Sequence, residues 1–170
     1  MEFSIVAALV AGLVGTAVMS TMMKLSGKMG MTDMPPMELV TGSMMSGDPD
    51  RAQQLGIALH WGMMGTVVFG LGYAALFNAL GSASWLTGVG VGAVHGLMVG
   101  LVFMPMMPSM HPRMTRQPVF AGTVDPDAST VTLAAPGVMG SRWGGMTPVG
   151  LLMGHVVYGL VVALVYQSFV

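Results

Sequence analysis

The sequence predicts an all-α fold, a four-helix transmembrane bundle, and three observations predict it. Only 13 of the 170 residues are Asp, Glu, Lys or Arg, which is 8 %; an average soluble domain carries roughly 25 %. Hydrophobic residues make up 54 %, and the mean hydropathy is +0.74. A soluble protein needs polar side chains to cover its outside, and this chain has too few. Third, the charges fall at positions that leave long uncharged runs between them.

Those runs define the spans. The first is Phe3 to Met23, 21 residues without a charge between Glu2 and Lys24. Between Arg51 and Arg113 there is no Asp, Glu, Lys or Arg. That run is too long for one helix, and Asn78 to Ser84 reads as a tight turn in its middle. It splits into spans over about 55–80 and 85–107. The last span covers 148–170. Each has at least ~20 residues, enough to cross ~30 Å of hydrocarbon at 1.5 Å per residue. A barrel would instead show ~10-residue alternating segments. The first span resembles a signal peptide in length only: it begins with Glu2, carries no Lys or Arg before Lys24 and shows no clear cleavage site, so it reads as a retained helix.

Four spans place both termini on one side and the loops 24–54 and 108–147 on the other. All six basic residues, Lys24, Lys28, Arg51, Arg113, Arg116 and Arg142, belong to that loop side. The positive-inside rule then makes the loops cytoplasmic in a cell (inner) membrane. The second loop is rich in proline. Val119 to Val124 and Thr130 to Leu133 flank Asp125-Pro126-Asp127, a pattern that predicts a small β-hairpin cap. The first loop suits a short interfacial helix over 37–45. Ala11 to Met23 aligns without a gap with His95 to Met107. If that is a duplication, the bundle is two helical hairpins related by an axis normal to the membrane.

Packing follows from small residues. Gly88, Gly92, Gly96 and Gly100 repeat every four positions and so share one helix face. Ala7, Ala11 and Gly15 form a similar stripe on span one. Such stripes let helices approach closely in lipid, which predicts a close crossing of spans one and three, and offers a surface for an oligomer. Trp61, Tyr73, Trp85 and Trp143 are candidate interface anchors.

Several function classes are excluded or poorly supported. There are no cysteines, so disulfides and thiol chemistry are out. A net charge of -1 provides no basic field for nucleic acid. The spans carry no carboxylate or amine for acid–base catalysis, and the acidic residues of the loops read as turn residues.

What stands out is sulfur and imidazole. The sequence holds 21 methionines, and all but Met1 gather in the loops and the loop-side halves of the spans; the four histidines follow the same polarity, with His95 near the midplane. The opposite end holds Phe69, Tyr73, Phe77, Trp85, Tyr166 and Phe169. Three histidines carry a methionine three residues on: His60 with Met63, His95 with Met98 and His111 with Met114. On a helix that spacing puts both groups on one face. Imidazole and thioether together favour a soft ion, above all Cu(I), and thioether discriminates against Mg²⁺ and Ca²⁺. The candidate metal ligands are His60, Met63, Met64, His95, Met98, Met107, Met110, His111, Met114 and His155. A second cofactor reading is b-type haem held by His60 and His155. The competing reading treats methionine as flexible filler or as a docking surface for a protein partner, which would make the chain an accessory subunit of a larger membrane complex.

Two resemblances follow from these residues. Met19-x-x-x-Met23 beside a small-residue stripe resembles the pore-lining element of copper-uptake transporters of the Ctr type, although the three-span architecture of that family does not match. The stretches Val94 to Met98, Met104 to Met114 and Met153 to Gly159 resemble a small prokaryotic family of uncharacterised four-span membrane proteins. That resemblance implies the four-span fold and carries no activity with it.

Overall fold

The computed structural model describes residues 3–115 and 129–170. Four long apolar helices form the body: α1 (Ile5–Lys28), α3 (Pro49–Leu80), α4 (Trp85–Met110) and α5 (Thr147–Gln167). Each is long and apolar enough to cross a bilayer, and the chain is a multi-pass membrane protein. A six-residue helix, α2 (Met37–Gly42), lies in the first loop.

Capping chemistry sets most of the ends. The Ser4 hydroxyl accepts from the Ala7 amide, and α1 runs on to Lys28, beyond the last apolar residue. Helix α3 begins at Pro49 because the Asp48 carboxylate accepts from the Arg51 amide at 2.8 Å and Pro suits the first turn. It stops where Gly81 adopts the left-handed conformation, φ 68°. Ser84 then caps α4 through the Thr87 amide. Both α3 and α4 contain π-helical stretches, Ile57–Phe69 and Val99–Phe103.

Helix α5 is the hub. It packs most extensively on α4 and next on α1, and α1 in turn packs on α3. The predicted crossing of spans one and three is therefore corrected, because both small-residue stripes face α5. A Cβ at Gly15 would stand 2.8 Å from Val162 Cγ2, and one at Gly96 3.0 Å from His155 Cβ. Gly88 and Gly159 meet backbone to backbone, as do Gly92 and His155. The physical reason is that α5 carries its own small residues, Gly159 and Ala163, at the meeting point. The stripe Gly88, Gly92, Gly96, Gly100 is thus buried inside the chain and is not available as a contact for a second copy.

The membrane core contains Ala7, Ala11, Tyr73, Phe77, Tyr158, Val162 and Tyr166. Two smaller clusters build a cap from the loops. One gathers Leu39, Val40, Ala52, Val131 and Leu133. The other packs Met104, Trp143 and Leu151 with Met34, Met107, Met114 and Met139 around them. Trp143 is fully buried and donates its indole N–H to the Ala134 carbonyl at 3.0 Å. Trp143 and Tyr73 are therefore core residues, not interface anchors. Where residues are described, Met114–Thr115 and Leu133–Ala134 form a short parallel bridge. Val119 to Val124 and the Asp125 turn lie outside the described residues.

Candidate functional site

Helices α3 and α4 stand at the two ends of the packing order, so the space between them is filled by side chains alone. There, in the loop-side half of the bundle, a cavity of about 60 Å³ is lined by His60, His95 and His155 together with Met19, Thr16 and Tyr158. All four long helices contribute. Three of the four histidines therefore converge, each from a different helix.

His155 and His95 are positioned by their surroundings. His155 Nδ1 donates to the Leu151 carbonyl at 2.8 Å. A carbonyl only accepts, so this bond holds the proton on Nδ1 and leaves Nε2 with its lone pair. His95 Nδ1 is 3.1 Å from the Tyr73 hydroxyl, and Phe69 packs on its ring with centroids 4.4 Å apart. The His95 and His155 rings meet edge to face at 4.6 Å. His95 Nε2 is buried with no hydrogen-bond partner among the described residues. Such a group costs roughly 1–3 kcal/mol unless something completes it. Tyr158 closes one wall by donating to the Gly65 carbonyl at 3.0 Å. Met19 and Met23 cover Gly154, the neighbour of His155: a Cβ there would meet Met19 Cε at 3.4 Å and Met23 Sδ at 3.5 Å.

The other candidate ligands fall elsewhere. Met63, Met98 and Met110 are 52 %, 42 % and 60 % exposed. Met64 is half-buried and does not line the cavity. Met107 and Met114 pack in the cap. His111 is committed to structure: its Nε2 is 2.9 Å from the Val40 carbonyl and its Nδ1 accepts from the Arg113 amide at 3.1 Å. Burial disfavours its charged form, the Val40 carbonyl favours it and Arg113 opposes it, so its pKa lies below the ordinary 6.5. The pairs His60 with Met63 and His95 with Met98 do not converge: the histidines line the cavity and the methionines are exposed. Around His60 the reason is local, because α3 is π-helical there and i→i+5 pairing widens the turn. His95 and Met98 part because only His95 lies on the face that α5 covers.

Two residues at the site were not among the predicted ligands. Met19 continues the stripe Ala7, Ala11, Gly15 by one further step of four, which already placed it on the inward face. Glu38 read as a turn residue, yet it is buried. It accepts from the Trp61 indole N–H at 2.8 Å and pairs with Lys24 at 3.4 Å. Burial alone raises its pKa, but the Trp61 bond, its own backbone amide and Lys24 together bring it below the usual carboxylate value.

Chemically, the cavity offers imidazole nitrogens and a thioether, with no fixed charge in its wall. Among the described residues no three His, Asp or Glu side chains form a metal-holding group, so an ion there would be held by fewer than three imidazoles together with the sulfur.

Residues 3–124, more than half of the chain, match a family of unknown function, DUF6789, and the chain belongs to that family. No curated protein and no solved structure matches it.

Proposed function

We propose that this membrane protein holds a soft metal ion, Cu(I), in the cavity between α3 and α4. The ligands are His95 and His155 through Nε2 and Met19 through sulfur, and His60 lines the same cavity on its loop side as the approach to them. The observation that carries this reading is the convergence of three imidazoles from three helices on one small intramembrane cavity, together with the unpartnered Nε2 of His95.

The donor set fits the ion. Neutral imidazole and thioether suit Cu(I) and disfavour hard cations. The outer partners of the imidazoles, the Leu151 carbonyl and the Tyr73 hydroxyl, are the kind that orient metal-binding histidines. In the tautomer in which His95 Nδ1–H donates to the Tyr73 hydroxyl, both Nε2 lone pairs are free. Haem is the less fitting occupant, since 60 Å³ is far below the roughly 300–1,000 Å³ of pockets that seat drug-sized molecules.

The exposed methionines of the loop side, among them Met29, Met45 and Met110, favour a second reading, docking of a partner subunit by a Met-rich surface. One titration separates the two. The detergent-purified chain is titrated with Cu(I) against a competing chelator. The metal reading expects one ion per chain, lost in His95→Ala and His155→Ala. Binding no tighter than to free methionine overturns it, and a stoichiometric co-purified protein in a metal-free preparation supports the docking reading.

A further inference from the structure

One turn beyond the histidine cavity, towards the loops, Lys24, Glu38 and Trp61 form a second cluster. Thr16, Ser20 and Lys24 follow one another at spacing four on α1, so they stack on one face. The first two line the cavity, and Lys24 lies one further turn along α1 towards the loops. On α3, Gly56 precedes His60 by one turn. The backbone of Glu38 is seated directly on Gly56, where an added Cβ would lie 2.9 Å from Glu38 Cα. Gly42 clamps the other end of α2 to α3: a Cβ there would stand 2.6 Å from the Gly56 amide nitrogen. Helix α2 therefore cannot slide without breaking a backbone-to-backbone contact, and this fixes the position of Glu38. Trp61, the neighbour of His60, donates to that carboxylate, and Lys24 lies 6.0 Å over the Trp61 ring. The pair is unequal in exposure: the Glu38 side chain is 4 % exposed and that of Lys24 is 55 %. The carboxylate is fixed and the ammonium is free to leave.

We propose that Lys24 and Glu38 form a latch over the loop-side mouth of the histidine cavity, with Glu38 the first ligand an incoming cation meets. Lys24 is a tethered cation that occupies Glu38 until the ion arrives. When its ammonium swings into water, the fixed carboxylate faces the mouth and can hand a cation on to His60. The latch rests on the ion pair, its bond to the neighbour of His60 and its place one turn beyond Ser20; the role of Glu38 towards an ion rests on the metal reading above.

Two measurements on the full chain in detergent test this. The first labels histidines with diethyl pyrocarbonate, a neutral reagent, and follows His60 by mass spectrometry. Lys24→Gln and Glu38→Gln should each speed labelling of His60 up to about fivefold, the most that a solvent-facing ion pair is worth, with labelling of His111 unchanged as the check on folding. Wild-type rates at His60 in both variants overturn the latch. The second follows Cu(I) uptake with time. Lys24→Gln should load severalfold faster and Glu38→Gln severalfold slower, at equal final occupancy. Equal loading by all three proteins overturns the cation role of Glu38. If the wild type takes up no Cu(I), the metal reading and the role of Glu38 towards an ion fall together, and the labelling result alone decides the latch.

Discussion

Gly88 and Gly90 sit two residues apart on α4 and should respond oppositely to the same change. A Cβ at Gly88 would clash with the Gly159 carbonyl and lie 2.5 Å from Ala163 Cβ, whereas a Cβ at Gly90 would meet nothing within 4 Å. The carbonyl and the Ala163 Cβ belong to a rigid helix and cannot rotate away. Inserting a methyl into such a contact costs about 1–3 kcal/mol. Replacing glycine by alanine in a helix also stabilises by roughly 0.5–1 kcal/mol, but both variants share that gain, so it cancels in the comparison. Gly88→Ala is therefore expected to be about 1–3 kcal/mol less stable than Gly90→Ala. Thermal or denaturant unfolding of the two proteins in one detergent measures the gap. Equal stability would refute the claim that α4 and α5 touch through their backbones.

Three further outcomes follow from the site and the cap. Tyr73→Phe removes the hydroxyl beside His95 Nδ1 and should weaken Cu(I) binding about 10–100-fold without unfolding the chain, read by the same chelator competition. Met19→Leu should weaken it by roughly tenfold or more, whereas the triple change of Met63, Met98 and Met110 to leucine should leave affinity unchanged, because those side chains face outward. His111 has a lowered pKa in the fold, so the unfolded chain binds the extra proton first; its contribution is complete above 6.5 and is lost as the pH falls through the lowered value. The acid-side slope of stability should accordingly be shallower in His111→Gln, measured by unfolding at pH 7.5, 6 and 5, values set at about one unit above the usual pKa and below it.

Much of the bundle was legible in the residues. The uncharged runs placed the four spans, and the Asn78 to Ser84 turn is where α3 gives way to α4. Asp48-Pro49 was a legible cap signal for the start of α3, but delimiting spans by charge passed over it. The glycine stripe correctly marked a close helix contact and not its partner, because a stripe says that a backbone comes near without saying whose. The site was legible in part. His95 lies three residues after Gly92 and seven after Gly88, on the face that α5 covers, and Met19 extends the span-one stripe; both inward positions follow from spacing. Pairing histidines with methionines at i+3 assumed α-helical turns, and the π-helical stretch around His60 removed that assumption. The one-sided distribution of methionine has two sources that composition could not separate. Met34, Met107, Met114 and Met139 fill the cap core, whereas Met19 lines the cavity. The buried Glu38 was hidden because its burial depends on α2 seating on Gly56, a long-range contact with no local signature.

X-ray absorption at the copper edge of the Cu(I)-loaded wild-type protein reads the ligand set itself. The expected first shell is two imidazole nitrogens and a single sulfur, with the nitrogen count falling in His95→Ala. A shell made of sulfur alone, or a spectrum unchanged by that substitution, would contradict it.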